Sequence, residues 1–279
     1  PIPRLAISLD AKDVTGATDA TIKLDGTIDK KPARGGLHLA RPAGGGIVAD
    51  NIDLAIGSAK AKGGVTLDAR NLARGQLTID APNLDDLSPL ALQKLSGTVR
   101  ADVTLDDQGG GQAARIKAQA FQVSAAGVTI SKADADLAVA DIYRRPSISG
   151  RASVDEAKVA NERIGKIRLD AKGTGGASDV TLSADARGFA LDTRARILPG
   201  DQTRIEVASF SATRGRDRVA LAGPATITLV DGGADLRNVV IGLGAGRVSV
   251  NGLAGSRLDL TAEAKGVPLS VADMASPGL

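Results

Sequence analysis

His38 is the single imidazole in a chain of 279 residues that contains no cysteine. A nucleophile–base relay would need a second His or a Cys, and a zinc site would need several such ligands. Neither can be assembled from this composition. His38 stands between Leu37 and Leu39, so an alternating strand turns it to the polar, solvent-facing side. The four glutamates, Glu156, Glu162, Glu206 and Glu263, are scattered, and the aspartates gather at strand ends and turns. No carboxylate pair is marked out for acid–base work. The glycine-rich pieces do not supply a phosphate cradle. Gly242-Leu243-Gly244-Ala245-Gly246 is followed by Arg247 where a dinucleotide fingerprint places its third glycine, and a strand pattern follows instead of a helix. Gly232-Gly233-Ala234-Asp235 lacks the next glycine of a calcium-binding nonapeptide. The reading is of a non-enzyme with no cofactor and no metal.

The charges point the same way. The net charge is +3, and Lys and Arg interleave with Asp, as in Lys166-Ile167-Arg168-Leu169-Asp170-Ala171-Lys172. Mixed signs on a strand face describe a solvated surface. A nucleic-acid partner would need clustered basic residues and stacking aromatics, so none is expected. A modest attraction to anionic lipid headgroups is compatible with this balance. The aromatic set is Phe121, Phe189, Phe210 and Tyr143, with no Trp, so the apolar side is almost wholly Ala, Val, Ile and Leu. That composition describes a smooth-walled sheet more than an interlocked core. The lack of cysteine leaves the redox compartment open. No run approaches the roughly 18 apolar residues of a membrane span, and any anchor or targeting signal is expected outside these residues. The chain reads as a segment of a longer protein, with another alternating strand expected after Leu279.

The elements that carry these residues are strands. Apolar and polar residues alternate singly, as in Gly64-Val65-Thr66-Leu67-Asp68-Ala69-Arg70, and again from Thr98 to Asp106. Period two gives one apolar and one polar face. The pattern recurs about eighteen times, which predicts an all-β chain. The breaks carry turn chemistry at Ala43–Gly46, Asp107–Gly111, Gly173–Gly176 and Asp231–Gly233. Parity slips where Ile116, Ala118 and Ala120 give way to Phe121 and Val123, the mark of a bulge or bend. Leu84, Leu87 and Leu90 recur every three residues and predict a short helical punctuation near 84–92. Val267–Met274 repeats that arrangement and predicts a second near 268–274. Otherwise residues 1–279 read as one continuous repetitive segment.

A sheet this large with one apolar face must curl or fold on itself. The faces then either collapse to a dry core or stay apart as a trough for apolar cargo. Composition leaves these two outcomes balanced.

The run Leu77-Thr78-Ile79-Asp80-Ala81-Pro82-Asn83-Leu84-Asp85-Asp86-Leu87-Ser88-Pro89-Leu90, followed by Leu95-Ser96-Gly97-Thr98-Val99, resembles the TamB (translocation and assembly module subunit) branch of the AsmA-like, bridge-like lipid-transfer family. Leu221-Ala222-Gly223-Pro224-Ala225-Thr226-Ile227, then Gly242–Gly252, then Val267-Pro268-Leu269-Ser270-Val271, follow that family's order. The resemblance implies a long curved U-shaped (β-taco) sheet with an apolar interior groove and short helical plugs. It implies a periplasmic protein of a Gram-negative bacterium, anchored in the inner membrane and carrying phospholipid toward the outer membrane. The implied partners are phospholipid acyl chains and, through other regions, an outer-membrane barrel of the BamA/TamA type.

Alternation puts Ile52, Leu54, Ile56, Val65, Leu67, Leu77, Ile79, Val99, Val103, Leu105, Ile167, Leu169, Val180 and Leu182 on the apolar face, and the resemblance makes that face the lipid lining. Thr66, Asp68, Arg70, Arg100, Asp102 and Arg168 fall on the water side. Two other functions stay open: a groove that chaperones outer-membrane protein strands, and a packed β-helical secreted adhesin passenger.

Overall fold

Singly alternating residues rich in Val, Ile and Thr favour extended backbone, because branched side chains pack well on a pleated, half-buried surface. The computed structural model describes residues 3–12, 17–159, 162–256 and 258–267, and these form twenty strands. The chain is all-β, and every ladder named below is antiparallel. It divides into two units, residues 1–143 with 150–163, and residues 144–149 with 164–279.

In the first unit β1 (Pro3–Lys12), β2 (Thr18–Ile28), β3 (Lys31–Arg41), β4 (Ile47–Ile56), β5 (Ala59–Leu67) and β6 (Ala73–Ala81) follow one another as a meander. A 3-10 turn at Leu84–Leu87 then runs into one α-helical turn at Ser88–Ala91. The meander resumes with β7 (Ser96–Gln108), β8 (Gly111–Ala125) and β9 (Val128–Ala140). After β10 (Ser147–Val154), the short β11 (Ala157–Val159) pairs back onto β9.

The second unit continues with β12 (Glu162–Thr174), β13 (Ala177–Ala186), β14 (Phe189–Leu198) and β15 (Arg204–Arg214). β16 (Asp217–Leu221) and β17 (Ala225–Val230) both pair with β15 and with β18 (Gly233–Leu243), so they act as one strand interrupted at Gly223-Pro224. Proline lacks the ladder donor, which accounts for the break. β19 (Gly246–Gly255) and β20 (Asp259–Lys265) complete the meander. The helix expected near 268–274 lies outside the described residues.

Three register slips coincide with left-handed residues. Asn51 (φ 51°) splits Ile47/Ala49 from Ile52/Leu54/Ile56, and Asn238 (φ 58°) splits Ala234/Leu236 from Val239/Ile241. Gln122 (φ 49°) is the bulge behind the parity change in β8. It keeps Val123, opposite Ile130, on the side of Ala120, while Phe121 faces Thr98 and Lys132. Gly63 sits mid-strand at φ +146°, where a Cβ would collide with the Gln76 carbonyl oxygen of the adjacent strand, so only glycine fits.

Burial is slight. The buried apolar residues include nine alanines (Ala20, Ala33, Ala59, Ala81, Ala113, Ala157, Ala177, Ala212, Ala225) and few larger ones, among them Ile28, Leu72, Leu84 and Val207. The clearest cluster is Ala59, Ala81 and Leu84, covered by Leu87, Leu95, Val99 and Val123 where the helical turns cap the strand ends.

Candidate functional site

Strand register gathers the predicted lining residues onto shared faces. In the first unit, Leu77 pairs with Val103 and Val103 with Ile116, which in turn faces Leu137. Beside this row run Leu54, Ala61, Ile79, Ala101 and Ala118. On its other side run Val65, Gly75, Leu105 and Ala114. Ile52 meets Gly63, Ile56 meets Ala59, Leu67 meets Ala73, and Val99 meets Ala81 and Ala120. In the second unit Leu169 pairs with Leu182, while Val180 faces Ala171 and Ala195, and Ile167 faces Ala184.

None of these fourteen residues is buried. Twelve are half-buried, and Ile79 and Leu182 are 37% and 38% exposed. The apolar faces are therefore formed but incompletely buried. Further residues on the same faces were missed by the sequence reading: Ile7 and Leu9 opposite Leu24 and Ile22, with Ile7 68% and Leu9 64% exposed, and Ile116 and Leu137. Their alternation carried the signal in each case.

The opposite face is a ladder of charges. Asp53, Lys62, Thr78, Asp102, Lys117 and Asp136 stand in one cross-strand row. Lys62 bonds Asp53 at 2.9 Å, Thr78 donates to Asp102 at 2.8 Å, and Arg100 bonds Asp80 at 3.0 Å. Thr66, Arg70, Arg100, Asp102 and Arg168 are exposed, as the alternation places them. Asp68 is half-buried and shapes a turn, accepting the Arg70 and Leu72 amides at 2.8 and 2.9 Å. Those donors, Leu72 first, hold its carboxyl below the usual range.

Three polar groups tie the first unit together. His38 bridges β2, β3 and β4, with Nδ1 2.8 Å from Asp50 and Nε2 3.1 Å from Asp19. These carboxylates, Asp50 first, raise the imidazole above its ordinary pKa. Gln112, buried beside the β7–β8 turn, accepts the Ala73 amide at 2.6 Å and donates to the Ala73 carbonyl at 2.9 Å. Asp86, in the 3-10 turn, accepts Ser58 and Lys31 and is drawn down to a pKa of about 2 by Lys31 first and Ser58 next. None of the three had a local signal in sequence, because each partner lies on another strand or turn.

An open hollow of about 810 Å³ lies over β2–β4, lined by residues including Thr21, Lys23, Arg34, Gly36, His38 and Asp53. Ile22, Leu37 and Ala55 also line it, and two of its charged side chains are already engaged, Arg34 facing Asp25 at 3.4 Å and Asp53 held by Lys62. Among the described residues no group of three or more His, Asp or Glu side chains could hold a metal ion. What the geometry offers chemically is apolar surface, backed by a hydrated face and bounded by hairpin turns. No family model, curated protein or solved structure matches the chain.

Proposed function

We propose that the chain carries phospholipid, its acyl chains lying along the apolar faces and its headgroup left toward water. The observation that carries this reading is the incomplete burial of those faces. Burying a Leu, Ile or Val side chain is worth about 1.5–3 kcal/mol, and the lining residues leave part of that unrealised within their own unit. Acyl chains need such a surface and no polar readout. Alanine and glycine opposite the larger side chains leave room for a chain of methylenes, where a dry core would be filled. The antiparallel meander also differs from the parallel stacking of a β-helical passenger. With the TamB-like motifs at Leu77–Leu90 and Gly242–Gly252, the reading extends to a curved groove working between two bacterial membranes, with a BamA/TamA-type barrel as partner.

The test places a photo-crosslinking residue at Val103 and, separately, at Thr104, in the full-length protein in cells. Val103 lies between Leu77 and Ile116, while Thr104 lies between Gln76 and Arg115 on the hydrated side. Phospholipid adducts at Val103 alone are expected. Silence at both sites, or adducts only to protein, would overturn lipid carriage, and the second of these would favour a chaperone groove for barrel strands.

A further inference from the structure

The hairpin turns of the second unit fall at two ends. At one end lie the turns Arg187-Gly188, Gly215-Arg216 and Gly244-Ala245, because β14 begins opposite the end of β15 and β16 begins near the end of β18. At the other lie Gly175-Gly176, the loop 199–203 with Asp201, and Asp231-Gly232. The β15–β16 hairpin carries Arg214, Arg216 and Arg218 around a left-handed Gly215 (φ 61°), with Asp217 as its only acid.

Parity sorts these arginines. Ala212 pairs with Leu191 and Val219, so it lies on the apolar face, and Arg214 lies two residues on, on the same face. Its guanidinium carbon stands 4.4 Å from the centre of the Phe189 ring, the apolar-face residue opposite Ala186. Asp217 approaches Arg214 only to 3.7 Å, too far for a hydrogen bond. Arg218 points to the hydrated side and Arg216 sits in the turn, both exposed and neither in an ion pair with a described residue. At the β5–β6 turn of the first unit, by contrast, Arg70 and Arg74 both converge on Asp107.

We propose that the Arg214–Gly215–Arg216–Asp217–Arg218 hairpin is a phosphate-binding rim, holding the phosphate ester of a lipid whose chains lie on the adjoining apolar face. A rim cation on the apolar side, stacked on Phe189 beside half-buried Leu191 and Phe210, suits a ligand that is apolar and anionic at once. Arginine forks match phosphate oxygens in pairs. This inference rests on the lipid-carrying reading and adds to it the headgroup chemistry and its location.

The experiment titrates the whole chain with three probes, monomeric dihexanoyl phosphatidylglycerol, uncharged dihexanoylglycerol, and glycerol phosphate. The phospholipid is expected to bind about tenfold tighter than the diglyceride. In the R214Q/R216Q/R218Q variant that advantage falls below about threefold, while diglyceride affinity stays within about twofold. Because Arg214 supports Phe189, the R216Q/R218Q variant is measured as well, and an intermediate loss is expected. R214K/R216K/R218K, which keeps the charge but not the fork, regains only part of the advantage.

An undiminished advantage in the triple variant overturns the rim. So does glycerol phosphate binding as tightly as the phospholipid, which would make the site one for free phosphate. A single-stranded oligonucleotide that binds more tightly than the phospholipid and is lost in the triple variant would make the hairpin a nucleic-acid surface, and also overturns it. Equal binding of charged and uncharged lipid removes the rim but leaves the groove. Failure of both lipids to bind removes the groove reading itself.

Discussion

Asp86 and Ser58 meet twice across 28 residues of chain: the Ser58 amide and hydroxyl both donate to one carboxylate oxygen, at 2.6 and 2.7 Å. The other oxygen takes Lys31 Nζ at 2.8 Å. This clamp fastens the 3-10 turn over the β4–β5 hairpin and keeps Leu84 on Ala59 and Ala81. Asp86→Ala is expected to cost about 2–3 kcal/mol, since it strands charged and neutral donors together. Urea unfolding at neutral pH measures it. The folded carboxyl titrates at about 2, below its ordinary 3.8, so its contribution is present above pH 4 and is lost as pH falls toward about 2. The gap between wild type and variant should close over that interval.

His38 titrates in the opposite sense. Its folded pKa is raised above 6.5 by Asp50 and Asp19, so the stabilisation is complete below pH 6.5 and fades as pH rises through the folded value. His38→Gln should therefore lower the thermal midpoint more at pH 5.5 than at pH 8.5. A proton NMR titration of the single imidazole gives the folded value directly, and one at or below 6.5 would contradict the bridge.

Gly63→Ala should destabilise the first unit by about 3 kcal/mol, because a side chain there meets the Gln76 carbonyl and its φ of +146° is closed to alanine. Gly109→Ala, in a turn with open space around it, should cost only about 1 kcal/mol. Chemical denaturation of the two variants separates collision from simple backbone preference.

Truncations on the apolar face distinguish a dry core from an open one. Leu77→Ala and Leu105→Ala, at half-buried positions, should each cost about 1 kcal/mol. Leu84→Ala, at a buried position, should cost about 2–4 kcal/mol. Equal losses at all three sites would mean that the face is packed.

The strands were largely legible because period two survives any environment with one wet side. Gly64–Arg70 overlaps β5 to within a few residues, and Thr98–Asp106 falls inside β7. β3 is legible only around His38, because Pro32 at its start and Gly35-Gly36 at its centre interrupt the alternation. β1, which does alternate, was passed over, and β11 is too short to show a period. The bulge at Gln122 is visible as a parity change, and Asn51 and Asn238 leave the same mark, although neither figures among the expected bulges. Alternation tells which side of a strand is apolar. It does not tell what covers that side, so the exposure of Ile7 and Leu9 had no counterpart in sequence. The Asp86–Ser58 and Gln112–Ala73 contacts join residues distant in the chain, and neither leaves a local mark.

A meander in which each strand pairs with its neighbours in sequence is a structure that can lengthen by addition. Each hairpin brings its own ladder and asks nothing of strands further away. The unit of growth must nevertheless be two strands. One extra strand would reverse every later chain direction and send the arginine-bearing turns to the opposite margin, whereas a pair leaves both margins as they were. Such a molecule can change its reach in steps of about 10 Å without redrawing its faces.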